Sequence, residues 1–206
     1  MPTRIAVLAS GSGSNLQALL EATDLGGEIV LVASDRRDAG ALERAAAAGV
    51  ETAVVAFGDY RDRAEWDAAL RQRVAGARPD LVVLAGFMRI LSADWVRTWP
   101  MLNTHPSLLP AFAGARAVDA ALAHGVKVTG ATVHFVVEEV DAGPIVTQEA
   151  VTVRPDDDAA TLHERIKAIE HRLLPEAVRL FCRGQLAVEG GHVRIRDAAP
   201  SRGARQ

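Results

Sequence analysis

The sequence has little of what marks several common protein classes. It contains one cysteine, Cys182, which excludes an internal disulfide. No apolar run reaches the roughly 18 residues that a membrane-spanning helix requires, and the first residues lead into a strand pattern rather than a secretion signal. The net charge is only −3, so no overall field favours nucleic acid or a membrane surface. We therefore expect a cytoplasmic protein without nucleic-acid or membrane partners.

Metal-binding and standard nucleotide-binding motifs are also missing. The six histidines form no His-Glu-x-x-His motif and no cluster with cysteine, so no metal is expected. The Gly-Ser segment at residues 10–15 is followed by Leu16, where a dinucleotide fingerprint needs its third glycine, and it lacks the lysine of a P-loop. Asp35 lies about 20 residues further on, at the spacing of a ribose-binding acid, but without that glycine we interpret it as a loop acid.

The pattern of apolar segments predicts an α/β fold. With 206 residues and 49% hydrophobic content, the chain has the right size for one domain, residues 1–206. Short apolar or β-branched runs predict strands at residues 5–9, 29–33, 52–55, 80–86, 129–137 and 144–153. Helical patterns cover residues 41–48, 61–74, 93–99, 117–124 and 161–182. Their alternation predicts a doubly wound, mainly parallel sheet, followed by a hairpin at 186–195 and a frayed tail at 198–206.

Three loops follow predicted strands and carry candidate site residues. The Gly-Ser segment stands between a strand and a helix, so it presents backbone donors to an anion, most naturally a phosphate; a plain tight turn is the alternative. Gly86 begins an apolar loop at residues 87–91 that could line a pocket or be simple core. Ligands of such sheets gather at the carboxyl ends of strands, so these loops can face one crevice.

The third loop contains the most distinctive polar residues. Asn103 and His105 occupy alternate positions at a strand end and should point to the same side. Pro106 holds His105 in an extended conformation. Asp141, in a later loop, supplies a possible third group, and His134 is either core or pocket. An ordinary strand end with a solvated histidine is the alternative interpretation.

Four separated blocks of the sequence resemble one enzyme family. They are ASGSGSNL at residues 9–16, LAGFMRIL at 84–91, NTHPSLLP at 103–110, and HF at 134–135 with DAGP at 141–144. In this order they are similar to the folate-dependent phosphoribosylglycinamide formyltransferases of purine synthesis, over nearly the full length. The resemblance implies a formyltransferase-type Rossmann-like fold. It also implies formyl transfer from 10-formyltetrahydrofolate, as cosubstrate, to the amine of glycinamide ribonucleotide, by a monomer or homodimer.

The resemblance also implies roles for individual residues. The ribonucleotide phosphate would be held by Gly13, Ser14 and Asn15, and the ribose hydroxyls by Glu170. The formylated folate would contact Arg63 near its carboxylate tail, Asn103, and the loop of Met88, Arg89, Ile90 and Leu91. Asn103, His105 and Asp141 match the catalytic trio, and His134 lies beside them. Two departures from the family are Trp99-Pro100-Met101, where a basic residue is frequent, and Ala113, where proline is frequent.

The trio suggests a mechanism. When an amine attacks the formyl carbon, an oxyanion develops and the nitrogen must lose a proton. We expect Asn103 to donate to the oxyanion, and protonated His105 to donate to the same oxygen or to the departing folate nitrogen. Asp141 would stabilise the His105 cation and order a water that carries the amine's proton.

Other functions could use the same residues. A methionyl-tRNA formyltransferase would carry a further C-terminal RNA-binding domain, and a formyltetrahydrofolate hydrolase a further N-terminal regulatory domain. The length of the chain argues against both. A nucleotide-binding sensor without chemistry would need the Gly-Ser segment but would leave the trio without a role.

Overall fold

The computed structural model of the chain describes residues 1–196, and the predicted frayed tail at 198–206 lies outside them. Seven strands form the central sheet: β1 Thr3–Leu8, β2 Gly27–Ser34, β3 Thr52–Val54, β4 Leu81–Leu84, β5 Met101–His105, β6 Val128–Phe135 and β7 Ile145–Thr152. Their spatial order is β3-β2-β1-β4-β5-β6-β7. Strands β1 to β5 pair in parallel, whereas β6 and β7 extend the sheet in antiparallel pairing. The predicted mainly parallel sheet is confirmed.

Helices cover both faces of this sheet. They are α1 Ser14–Glu21, α2 Gly40–Ala47, α3 Arg63–Gly76, α4 Ala93–Thr98, α5 Ala117–His124 and α6 Ala159–Cys182. One hydrophobic core contains residues of α1, α2, α5 and α6, and the other contains residues of α3 and α4. A short hairpin, β8 Leu186–Glu189 with β9 His192–Ile195, follows α6. No helix within the described residues is both long and apolar enough to cross a bilayer.

Strand β1 shows why the strand predictions succeed. Ile5 and Val7 belong to the core beneath α1 and α6, while Ala6 and Leu8 belong to the core beneath α3 and α4. All four side chains are fully buried. A parallel strand that is covered on both faces needs apolar side chains at every position, so it appears in the sequence as a continuous apolar run.

The structure corrects the predicted start of the third helix. Helix α3 begins at Arg63 rather than Arg61, because the side chain of Asp62 accepts the backbone N–H of Glu65 at 2.9 Å and caps the helix. Arg61 lies outside the helix and pairs with Glu65 at 3.0 Å. Ser92 precedes α4 as expected, but its hydroxyl donates to Asp67 at 2.6 Å instead of capping the helix.

Candidate active site

A cavity of about 420 Å³ opens beyond the carboxyl ends of β4 and β5. Its lining comes from four stretches of the chain, within residues 84–92, 101–106, 114–117 and 134–141, and from Val96 of α4. They include the apolar loop after Gly86 and the polar residues Asn103, His105, His134 and Asp141. The cavity therefore brings together the second and third loops that the sequence analysis singled out.

The three predicted trio residues lie close to one another in this cavity. Strand β5 carries Asn103 and His105 two residues apart, and antiparallel pairing places His134 of β6 directly opposite Asn103. Asp141 lies in the connection between β6 and β7, where its carboxylate is 3.3 Å from His105 Nδ1 and 3.6 Å from His134 Nε2. The carboxylate thus approaches both imidazole rings.

The hydrogen-bond partners of His134 show which of its ring nitrogens carries a proton. Its Nδ1 lies 2.8 Å from the carbonyl oxygen of Phe135, which can only accept, so Nδ1 is the donor. Its Nε2 lies 3.1 Å from Nδ2 of Asn103. In the neutral ring Nε2 accepts a hydrogen bond from the Asn103 amide, and this bond fixes the orientation of that amide.

Both nitrogens of His105 face oxygen acceptors. Nε2 is 2.9 Å from the carbonyl oxygen of Phe112, and Nδ1 faces Asp141. Each nitrogen therefore has an oxygen that can accept a hydrogen bond from it. The ring is buried, with 7% of its side-chain surface exposed.

The pKa of Asp141 lies below its ordinary value. Burial of the carboxyl raises the pKa. The interactions with His134 and with the backbone N–H of Gly114, together with the charge that His105 and His134 carry when protonated, lower it by more than burial raises it. The Gly114 N–H donates to the carboxylate at 2.7 Å. Asp141 is therefore an ionised carboxylate at neutral pH, held among donors.

Strained backbone is concentrated around this carboxylate. Phe112, Arg116 and Asp141 have φ of 55°, 63° and 55°, and they are three of the four non-glycine residues with positive φ in the described part of the chain. Such conformations cost about 1–3 kcal/mol each and cluster at functional sites. A Cβ on Gly143 would lie 1.7 Å from the carbonyl oxygen of Phe135, so only glycine permits this turn after Asp141.

The loop after Gly86 forms the apolar wall of the cavity. Met88 and Ile90 are 77% and 56% exposed at its mouth. Arg89 donates to Asp35 at 2.7 Å and lies 4.3 Å from the centre of the Phe57 ring. Asp35 lies in the loop after β2, as expected, and its side chain is nearly fully buried. It holds the base of this wall.

Arg63 lies behind the same loop rather than in the cavity lining. Its guanidinium donates to the carbonyl of Ile90. The side chain is exposed at the rim, where a charged group of a bound molecule could meet it. The sequence could not show this contact, because 27 residues separate the two partners.

The Gly-Ser segment lies at the N-terminus of α1, outside the main cavity. Gly13 has φ of 76°, and a Cβ there would lie 2.6 Å from Cα of Ala41, so glycine allows α1 to approach α2 closely. No side chain caps α1, which leaves its first N–H groups available for an anion. The Oδ1 atom of Asn15 is buried without a hydrogen-bond partner. Ser14 lines a second, more open cavity of about 480 Å³ between α1 and α6.

Glu170 reaches the other face of β5. Its carboxylate accepts a hydrogen bond from the Thr104 hydroxyl at 2.9 Å, and both residues are buried. Because side chains alternate along a strand, β5 presents Asn103 and His105 on one face and Thr104 on the other. The sequence analysis missed the contact between Thr104 and Glu170. The only signal for it was that Asn103 and His105, two positions apart, place Thr104 on the opposite face of the strand.

Comparison with known proteins agrees with this architecture. A sequence model described as formyl transferase matches residues 3–178, which is most of the chain. The chain belongs to the formyl transferase family.

Two of the relatives described below are named for formyl transfer to glycinamide ribonucleotide. Phosphoribosylglycinamide formyltransferase of Mycobacterium tuberculosis is 48% identical over 193 residues, which cover 92% of this chain and 89% of that protein. The human trifunctional purine biosynthetic protein adenosine-3 is 46% identical over 92% of this chain, which spans only 19% of the human protein. The crystal structure of glycinamide ribonucleotide transformylase 1 from Symbiobacterium toebii superposes with a TM-score of 0.91, at 50% identity and 95% coverage of both chains.

Proposed function

We propose that this protein transfers the formyl group of 10-formyltetrahydrofolate to the amine of glycinamide ribonucleotide, as a cytoplasmic enzyme of purine synthesis. The observation that carries the proposal is the meeting of Asn103, His105 and Asp141 in one cavity beside an apolar loop. The names of relatives at 48–50% identity specify formyl transfer to glycinamide ribonucleotide and so support this acceptor.

The cavity has the chemistry that a formylated folate requires. The apolar side chains at its mouth, Met88 and Ile90, offer surface to an aromatic ring system. The backbone of residues 88–91 offers donors and acceptors to the pterin, and Arg63 at the rim offers a cation to the carboxylate tail. In this proposal the formyl group lies at the inner end of the cavity, next to Asn103.

The ribonucleotide binds on the neighbouring side of β5 in this proposal. The uncapped N-terminus of α1, at Gly13, Ser14 and Asn15, receives the phosphate, and the orphaned Asn15 carbonyl oxygen accepts from a substrate hydroxyl or a water. Glu170 accepts from the ribose hydroxyls through the carboxylate oxygen that Thr104 leaves free. The glycine amine then reaches past the end of β5 to the formyl carbon.

Asn103 stabilises the tetrahedral intermediate in this proposal. The amine attacks the formyl carbon, and the carbonyl oxygen becomes an oxyanion. One N–H of the Asn103 amide donates to His134 at 3.1 Å, and the amide has a second N–H for the oxyanion. Collapse of the intermediate breaks the bond to the folate nitrogen, which takes up a proton and leaves as tetrahydrofolate.

His105 and Asp141 take part in the proton transfers of the proposed reaction. Both His105 nitrogens are already engaged, so donation to the substrate requires the Nε2 contact with the Phe112 carbonyl to be exchanged for one with the substrate. Asp141 orients the ring through Nδ1. The proton lost by the attacking amine passes to the carboxylate side, through an ordered water, and the ribonucleotide leaves as a formamide.

One assay tests the proposal. The purified protein is incubated with glycinamide ribonucleotide and 10-formyltetrahydrofolate, and release of tetrahydrofolate is followed, with each substrate omitted in turn. We expect release only when both are present. Release without the ribonucleotide would indicate the alternative hydrolase, and binding of the ribonucleotide without any folate turnover would indicate a non-catalytic nucleotide-binding protein. A formyltransferase with a different acceptor would bind the folate but ignore the ribonucleotide.

A further inference from the structure

Hydrogen bonding between β1 and β4 continues beyond the ends of both strands. The N–H of Ala85 donates to the carbonyl of Leu8 at 2.9 Å, and the N–H of Ser10 donates to the carbonyl of Gly86 at 3.1 Å. At the next step of this ladder the acceptor is a side chain. The Oγ of Ser10 accepts the N–H of Met88 at 2.9 Å.

Ser10 therefore joins two loops that have separate roles in the proposed function. It is the first residue of the Gly-Ser segment, which leads to the phosphate site at Gly13, Ser14 and Asn15. Met88 is the first of the residues proposed to surround the pterin. Because Ser10 bonds to this second loop through both its backbone and its hydroxyl, neither loop can shift without disturbing the other.

Each loop is also fixed on its far side. The Gly-Ser segment is held by α2, where Ala41 N–H donates to the Gly11 carbonyl at 3.2 Å and Arg44 donates to the Ser12 carbonyl at 2.8 Å. The apolar loop is held by the ion pair between Arg89 and Asp35. Two braced segments that meet at one serine form a contiguous physical link between the two substrate sites.

The hydrogen bond between the Ser10 hydroxyl and the Met88 N–H is partly buried. Ser10 is 3% exposed, so removal of Oγ leaves the Met88 N–H without an acceptor. An unpaired N–H in such a place is unfavourable, and the peptide before Met88 would turn to find another partner. That peptide belongs to the wall that a folate would contact.

We propose that Ser10 is a positioning residue that couples the two substrate sites, so that the bound ribonucleotide strengthens folate binding and the reverse. This inference rests on the proposed function, since it assumes that the two loops bind these two substrates. Coupling of this kind is reciprocal, and coupling between sites in proteins typically amounts to about fivefold or more in affinity.

Binding of tetrahydrofolate, which occupies the folate site but has no formyl group to transfer, tests the coupling. Its dissociation constant is measured by calorimetry with and without saturating glycinamide ribonucleotide. For the unsubstituted protein we expect at least about fivefold tighter binding with the ribonucleotide. For Ser10→Ala we expect the ratio to fall below about twofold, with weaker folate binding in both conditions. Ser10→Cys keeps a side chain of similar size with a poor acceptor, and the same loss is expected.

Ser34→Ala is the matched control. Ser34 is also buried. Its Oγ also accepts a backbone N–H just beyond the end of a strand, that of Arg36 at 3.1 Å, but this hydroxyl does not connect its loop to a second loop. Ser34→Ala should keep the coupling ratio. A ratio near one in the unsubstituted protein, or an unchanged ratio in both Ser10 variants, would overturn the inference. Failure of the unsubstituted protein to bind either ligand would instead contradict the proposed function.

Discussion

At the scale of single residues, the carboxylate of Asp141 has a central position in the site. It receives the Gly114 N–H, faces His105 and His134, and has a backbone φ of 55° that an aspartate rarely adopts. Strained backbone of this kind clusters at functional sites, which supports the role that we propose for Asp141 in the chemistry.

The substitution Asp141→Asn tests that assignment. The amide keeps the size of the side chain but loses the charge that supports a protonated His105. We expect turnover to fall roughly 100- to 1000-fold, while KM for either substrate changes much less. Rapid-mixing measurements of a single turnover give the chemical step directly. Near-normal turnover would show that the carboxylate is not needed. Asp24→Asn, which removes an exposed carboxylate paired with Arg179 and Arg183, is the control.

The substitution Asn103→Ala tests the oxyanion donor. It removes the amide that donates to His134 and that we expect to donate to the oxyanion. We again expect a loss of roughly 100- to 1000-fold in single-turnover formyl transfer, with folate binding largely kept. If folate binding falls as far as the rate, Asn103 contributes to binding and not selectively to the transition state.

The lowered pKa of Asp141 predicts how stability depends on pH. Its ordinary value is 3.8, and the folded value lies below it. A carboxyl of this kind stabilises the fold at pH above its unfolded pKa, and the contribution is lost as the pH falls through the folded pKa. The difference in free energy of unfolding between the unsubstituted protein and Asp141→Asn should shift towards the variant as the pH falls below about 4. Urea unfolding at several pH values measures it, and a difference independent of pH would be the contrary result.

At the scale of secondary-structure elements, strand β5 separates the two substrates in the proposed function. One face carries Asn103 and His105, and the intervening Thr104 reaches Glu170 of α6. A strand of five residues can therefore contact both substrates, because consecutive side chains point to opposite sides of the sheet.

The substitution Thr104→Val tests the second face. Valine keeps the shape but leaves one oxygen of the buried Glu170 carboxylate without its donor. We expect KM for the ribonucleotide to rise roughly tenfold, with little change in KM for the folate. Steady-state kinetics with each substrate varied in turn distinguish the two. Thr129→Val is the control, because the buried Thr129 hydroxyl has no hydrogen-bond partner in the described part of the chain. Equal effects on both substrates would contradict this division of β5.

The elements themselves were largely predictable, because their signals are local. Strand β4 at Leu81–Leu84 is a continuous apolar run, and Ala159–Cys182 is an amphipathic helix. The start of α3 was misplaced by two residues, although Asp62 followed by Glu65 three positions later is itself a helix-start signal.

At the scale of the whole molecule, the site depends on contacts between distant parts of the chain. The partners of the Asp35–Arg89, Thr104–Glu170 and Ser10–Met88 contacts are 54, 66 and 78 residues apart. Spacing and periodicity contain no signal for such contacts, so the sequence placed Asp35 in a loop but did not show that it pairs with Arg89. The loops themselves could be predicted to meet, since the carboxyl ends of parallel strands share one edge of the sheet.

The antiparallel strands β6 and β7 complete the site. Their pairing places His134 opposite Asn103, and the connection between them returns Asp141 to His105. A purely parallel sheet would send this connection through a crossover of a dozen or more residues, away from the cavity. The resemblance of the sequence to its family predicted the members of the trio, and the structure gives the distances between them.

The most direct test of the account follows the formyl carbon itself. The protein is mixed in excess with 10-formyltetrahydrofolate that carries a ¹³C label in its formyl group, together with glycinamide ribonucleotide, and the label is located by NMR after one turnover. We expect the label as a formamide on the glycine nitrogen of the ribonucleotide, formed with an equal amount of tetrahydrofolate. Label that stays on the folate, or that appears as free formate, would contradict the account.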